Sequence, residues 1–248
     1  MESYQLQASD GELGKVKELY FDDTQWAIRY LGVDTRKWLP GRRVLLSPSS
    51  FTKIDPDNQT VHVSNDKETV RNSPSLEEAS SMTPSYEVAL TRYYGWTPYW
   101  TGGLLWGRQD VPLVGTVDEK LPDRPEDESA DLADEITHNL REIDELKESF
   151  TVHASDGKIG KIDDVVIDDN NWKLRYLVVE TGQDYRWKYV LLSPDWTQSV
   201  DWVDNNIYLD VTLEVVRTGP GIQEKGDISR QYEQELHTAY GKASYWNY

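Results

Sequence analysis

The 248-residue chain contains no cysteine. That absence excludes disulfides, thiolate nucleophiles and sulfur-ligated metal sites together, and it accords with a reducing cytoplasm. Histidine is scarce as well. His62, His138, His153 and His237 form no HExxH, His-x-His or Ser/His/Asp pattern, so each reads as a solvated or core-satisfied side chain. No phosphate-cradling GxGxxG or GxxxxGK[ST] occurs, and the glycine-rich "TGGLLWG" at 101–107 follows no strand-to-helix context. Long apolar runs are missing too. The longest uncharged stretch, "YYGWTPYWTGGLLWG" at 93–107, falls short of the roughly 20 residues a bilayer requires. "MESYQLQASDG" lacks a basic and apolar leader. The expectation is a chain with no membrane span and a cytoplasmic location. Positive charge is also in deficit: 26 basic residues against 44 acidic leave a net charge of −18. Nucleic acid would be repelled, since short basic pairs such as Arg42-Arg43 read as solvated surface and no basic face is segregated. The acidity itself fits either plain solubility or a saline cytoplasm.

What the chain does have is aromatic and repeated. Ten Trp and fifteen Tyr within a 38% hydrophobic composition are ample for a packed core. "ASDGELGKVKELYFDD" at 8–23 returns as "ASDGKIGKIDDVVIDD" at 154–169, an offset of 146 that continues without a gap. Between 8 and 35 there are 14 identities in 28 positions against 154–181. Further along, "VLLSP" at 44–48 recurs at 190–194. Tyr86-Glu87 meets Tyr232-Glu233, Tyr94-Gly95 meets Tyr240-Gly241, and Tyr99-Trp100 meets Tyr245-Trp246. The chain is two copies of one unit of about a hundred residues. The expected domains are 1–116, an acidic linker at 117–144, and 145–248. Residues 117–149 carry 13 acidic and 4 basic side chains, half of the total net charge. Pro122 and Pro125 mark a mobile start to this segment, and Leu132, Ile136, Leu140, Ile143 and Leu146 space out a helical stripe behind it.

Within each copy the pattern is β. "YQLQA" alternates, and Asp10-Gly11 supplies a tight turn. The three-residue step from Val16 to Leu19 breaks period two and predicts a bulge near Lys17-Glu18. "WAIRYLGVD" and "WKLRYLVVE" predict the longest strand, apolar on both sides and therefore covered on both. One cover is the barrel interior; the other is the aromatic tail of the same copy or the other barrel. Five or six short strands with tight turns predict a small barrel or rolled sheet in each copy.

The phrase "DGxxGxVxxxxxDDxxWxIRYLxVDTxxWLPGRxVLxSP" resembles the PRC-barrel domain, named for the cytoplasmic part of the photosynthetic reaction-centre H subunit and also found at the end of a ribosome-maturation factor. The likeness is closest to soluble bacterial proteins with two such barrels in tandem, each followed by a Tyr/Trp-rich segment. It covers roughly 4–107 and 145–248. It implies a mainly β fold of two small barrels acting as docking modules, with no shared catalytic residues. A membrane helix like that of the H subunit has no counterpart before Tyr4, and the RNA-processing domain of the ribosome factor is absent from these residues.

The polar positions are weighed against that frame. Asp22-Asp23 and Asp168-Asp169 could pair around a divalent cation, but Asp at turns more often bonds its own backbone. "DPDNQTVHVSND" at 55–66 imitates calcium-loop spacing yet lacks the Gly and the bidentate Glu such a loop needs. Arg29 and Arg175 are expected to pair with an acid at the rim, such as Asp34 or Glu180, with an anion-binding role as the alternative. Tyr93, Tyr94, Trp96, Tyr99, Trp100 and Trp106 cluster within fourteen residues. They read as lids over the barrel, as a partner surface, or as a membrane-interface belt disfavoured by the negative charge. The twinned Tyr94, Tyr240, Trp100 and Trp246 are expected to be buried. Trp96, which aligns with Lys242, and Trp106, which has no counterpart, are expected to be exposed and are the candidate partner-binding residues. The expected function is that of a non-catalytic cytoplasmic interaction or scaffold protein, with protein partners and no cofactor or metal. The alternative is a soluble relative of the H subunit modulating a membrane electron-transfer complex. A barrel of about 70 residues has a thin core, which predicts pairing of the copies about a pseudo-twofold axis or pairing with a second chain.

Overall fold

The computed structural model describes residues 1, 3–36, 39, 43–74, 82–113, 133–226 and 228–246. Residues 117–132 of the acidic segment, with Leu132, and also Arg42 and Tyr248 lie outside the described residues. The chain is mainly β and divides into two units. The first comprises residues 1–142 and 169–173, the second 143–168 and 174–248.

In the first unit the strands are β1 (Gln5–Ala8), β2 (Gly11–Asp22), β3 (Ala27–Asp34), β4 (Val44–Leu46), β5 (Phe51–Asp55) and β6 (Thr60–Val63). The helices α1 (Lys67–Arg71) and α2 (Pro84–Tyr94) follow, and then β7 (Leu140–Glu142). The sheet runs β4-β3-β2-β1-β6-β5, with β7 on β2; β1 and β6 are parallel and the other pairs antiparallel. The second unit has α3 (Ile143–Ser149), β8 (Thr151–Ala154), β9 (Gly157–Ile167), β10 (Leu174–Thr181), β11 (Tyr189–Leu192), β12 (Thr197–Asp201) and β13 (Asn206–Leu209). It ends with α4 (Leu213–Thr218) and α5 (Arg230–Tyr240). Its order, β11-β10-β9-β8-β13-β12, repeats that of the first. Both sheets are mixed and open: among the described residues no strand pair joins β4 to β5 or β11 to β12. No helix among the described residues is long and apolar enough to cross a membrane.

The repeated phrase maps onto repeated backbone requirements. The carboxylate of Asp10 accepts a hydrogen bond from the Lys67 amide at the start of α1 (2.9 Å), and Asp156 does the same for Leu213 at the start of α4 (2.7 Å). Gly14 lies so close to the next strand that a Cβ would sit 2.0 Å from the Asp34 carbonyl oxygen; at Gly160 the distance to the Glu180 oxygen is 1.9 Å. No other residue fits there. Ser47 and Ser193 cap the short 3₁₀ turns after "VLL", each accepting from an amide two residues on. The predicted bulge is present: Val16 faces Val33 while Glu18 faces Gly32, which leaves Lys17 as the extra residue. Asp163 is its twin on β9.

β3 is buried along seven of its eight residues, as a strand covered on both faces must be. Leu6, Phe21, Ile28, Leu31 and Leu46 pack on one side, all fully buried. Tyr30 reaches out to the aromatic stretch behind α2, its ring centroid 6.2 Å from Trp96 and 6.4 Å from Tyr99.

One expectation is corrected here. The spacing from Leu132 to Leu146 predicts a continuous helical stripe, yet Leu140–Glu142 is a strand and the helix begins only at Ile143. β1 covers β2 only as far as Lys15, so the edge at Tyr20–Asp22 is left for another strand. β7 fills it, and Asn139 fixes the register by bonding both the backbone and the carboxylate of Asp23. Edge pairing outweighs weak local helix preference.

Candidate functional site

Each unit holds a buried cluster that ties its aromatic segment to its sheet. In the first, Asp22 ends β2. One carboxylate oxygen accepts from the Thr24 and Gln25 amides (3.2 and 2.6 Å), the turn bonding expected of such an Asp, and the other accepts from Arg29 Nε (2.6 Å). Arg29 points here because it is a second bulge: Tyr20 faces Tyr30 and Phe21 faces Ile28, so the arginine between them is extra and turns with its neighbours' face. Its guanidinium donates to the Leu105 carbonyl (2.8 Å) and lies over the rings of Tyr99 (4.1 Å) and Trp106 (4.7 Å). The Arg29 and Asp22 side chains are 1% and 2% exposed. Such a pair survives burial because each guanidinium nitrogen has an acceptor, Gln25 Oε1 taking Nη2 at 3.5 Å.

Beside it stands Glu87, 3% exposed on α2. The helix is capped by Thr83 at its start and by left-handed Gly95 at its end, which orients the carboxylate toward β3. Glu87 accepts from the hydroxyls of Tyr30 (3.3 Å) and Tyr99. His138 Nε2 lies 2.8 Å from the Tyr99 hydroxyl and 3.4 Å from Glu87 Oε1. Burial, and then the Glu87 charge, push both phenols well above the ordinary tyrosine range, so they remain donors. A cavity of 80 Å³ opens between Arg29, Tyr99 and His138. It is room for a few water molecules and far below the few hundred Å³ of a typical ligand site.

The second unit repeats the set at the same offset. Arg175 Nε and Nη2 donate to Asp168 (2.9 and 2.7 Å), and the guanidinium lies 3.8 Å from the Tyr245 ring. Glu233 on α5 accepts from Tyr176 (3.0 Å) and Tyr245 (2.7 Å). Two features differ. Arg230 adds a charged contact to Glu233 (2.9 Å), and the imidazole comes from His237 on α5, where the first copy has Thr91. The Arg175 and Asp168 side chains are 10% and 19% exposed, so this pair is wetter.

Several expectations change. Asp34 and Glu180 are not the partners of the strand arginines, because the bulge turns these toward Asp22 and Asp168. Asp34 instead accepts from Arg36 (2.8 and 2.6 Å), which holds its carboxyl at about 2. Trp96 and Trp106, expected to be exposed, are 6% and 3% exposed. Trp96 stacks on Tyr94 (4.4 Å) and donates its indole N–H to Ser50 Oγ (2.9 Å). Trp106 covers Arg29 and donates to the Asn171 carbonyl (2.8 Å). The glycines of "TGGLLWG" make this possible: Gly107 takes a φ of 83°, where a Cβ would meet the Pro98 oxygen at 2.6 Å. Side chains sealed to this degree offer no face to a partner. Of the four aromatics expected inside, Tyr240 is buried, while Tyr94, Trp100 and Trp246 are half-buried. Sequence reading passed over Glu87 and Glu233. The signal was available, since an acid repeated at the 146 offset inside an aromatic stretch where the two copies otherwise differ is a candidate for a fixed buried bond.

Among the described residues no group of three or more His, Asp or Glu side chains is placed to hold a metal ion. No curated protein matches the chain. The second sheet is where the chain meets a known family: residues 142–216 match the PRC-barrel domain.

Proposed function

We propose that the chain is a non-catalytic cytoplasmic protein-interaction or scaffold protein built from two PRC-type domains. The observation that carries this reading is the fate of the buried polar groups. Asp22, Arg29, Tyr30, Glu87 and Tyr99, and their twins at offset 146, spend their donors and acceptors on one another. A catalytic group needs a free valence facing a space that admits substrate. Here the polar groups fasten an aromatic lid to a sheet, twice, which is a device for rigidity. A rigid surface presented in duplicate suits binding, and 18 net negative charges favour a partner with a basic face.

The test is covalent cross-linking of the tagged chain in its native host, followed by quantitative mass spectrometry. The expected result is one or more proteins recovered in near-stoichiometric amount, with contacts mapped to the outer faces of the units. Recovery of the tagged chain alone, with no cross-linked partner, would overturn the reading.

A further inference from the structure

The two sheets differ along one edge. In the first, β1 accompanies β2 to Lys15, the Val16 amide donates to the Tyr4 carbonyl (2.8 Å), and β7 takes over from Tyr20 to Asp22. In the second, the Ile162 amide donates to the Phe150 carbonyl in the same way (3.3 Å), but among the described residues no strand follows along that edge. Exposure marks the difference. Leu19, Tyr20 and Phe21 are buried, whereas their twins Val165, Val166 and Ile167 are half-buried. The Asp23 amide donates to the Asn139 carbonyl (3.0 Å), and outward amides recur at every second residue of an antiparallel strand. Phe21 and Leu19 therefore face β7, and Ile167 and Val165 face the empty side. There the Val165 amide turns to the carboxylate of its own neighbour, Asp164 (2.9 Å).

The anchor of β7 is also present twice. Asp23 accepts from the Asn139 amide and side chain (2.8 and 3.1 Å) and holds Arg141 at 3.5 Å. Its twin Asp169, the next residue after Asp168, is exposed, and nothing among the described residues bonds its carboxylate. We infer that the edge at Val165–Asp169 docks an extended basic segment of a partner protein, added as a strand antiparallel to β9 as β7 is to β2. The inference rests on the interaction reading proposed above. β7 sets the chemistry of the guest: Arg or Lys in the place of Arg141, to meet Asp169. In the place of Glu142 it carries an apolar residue, because the Tyr20 hydroxyl that donates to Glu142 (2.9 Å) has Val166 as its twin. A second copy does not fit. Its own β7 is already paired, and two β9 edges laid antiparallel about Val166 would set Asp163 against Asp169 and Asp164 against Asp168.

The experiment titrates the isotope-labelled full chain with a capped synthetic peptide, the sequence of residues 137–142 carrying Glu142→Val, and follows the backbone amides by NMR. The expected result is binding with a Kd of about 1 mM or tighter, with shifts at Val165–Asp169 and slower exchange of the Ile167 amide. Methylating the amide nitrogen of the peptide's arginine removes a ladder bond and should weaken binding about tenfold. Asp169→Lys in the chain, an exposed position that leaves the fold intact, should weaken it at least as much. No binding, shifts confined to other surfaces, shifts indifferent to both changes, or an Ile167 amide as protected as Phe21 before peptide is added would each overturn the inference. The interaction reading is judged separately: partners cross-linked through other faces would keep that reading and lose this site.

Discussion

Arg29 and Arg175 sit at the same bulge, hold the same acid and cover the same tyrosine, yet differ in how far water reaches them. At the first the pair is sealed; at the second it is partly wet. Removing one member of a sealed pair strands the other, at a cost of about 3–5 kcal/mol. Arg29→Met should therefore lower the unfolding free energy by that order, and Arg175→Met by distinctly less, in denaturant titrations of each variant. Adding Asp22→Asn to the first variant should restore part of the loss, because the amide oxygen still bonds the turn while the stranded charge is gone. Equal losses at the two arginines would contradict the role given to solvent. The sequence pointed to these arginines by their position in a repeated strand, but not to their partners. The expected pairing assumed that a long side chain reaches the strand's rim; the bulge at Arg29, invisible at single-residue level, turns it to Asp22. Trp106 misled for a related reason. Lack of a twin was read as lack of a structural duty, whereas its duty is to the glycine turn that brings it back over Arg29.

At the scale of elements the repeat predicts well what lies inside it. Strand order, the first bulge and the "SDG" and "SP" turns recur because each rests on a local requirement: a cap, a close approach or a turn carboxylate. β7 was not legible, because three residues of strand carry no period, and what decides their state is an open edge more than a hundred residues earlier in the chain. This makes a specific demand on Arg141. A proline there cannot supply an amide to the ladder and should peel β7 away. Amide exchange at Asp23, which donates to the Asn139 carbonyl, should then accelerate, while Leu31 on the far side of β2 keeps its protection. Continued protection of Asp23 in Arg141→Pro would mean the edge is held by something else.

Across the whole molecule the tyrosines dominate the response to alkali. Burial raises Tyr30, Tyr99, Tyr176 and Tyr240, and lifts Tyr232 to about 12. Each is neutral in the fold at a pH where it would ionise in the unfolded chain. Their contribution to stability is therefore complete below the ordinary phenol value near 10 and is lost as pH rises above it toward the folded values. Ultraviolet titration should show two steps, exposed phenols near pH 10 and buried ones only with loss of circular dichroism. A single smooth titration of all fifteen tyrosines near 10 would refute the enclosed clusters.

The strand that ends at Glu142 also bears on how such a chain is made. A polypeptide written twice invites cross-pairing, since β1 would find a tolerable neighbour in β9 as readily as in β2, and repeat proteins misassemble in this way. Synthesis runs from the N-terminus at about 5–20 residues per second. All seven strands of the first sheet precede β8, which starts at Thr151, so a nascent chain can close that sheet before its imitator has left the ribosome. Dilution from denaturant removes this head start and presents both halves at once. The order of translation acts on this sequence as a chaperone would.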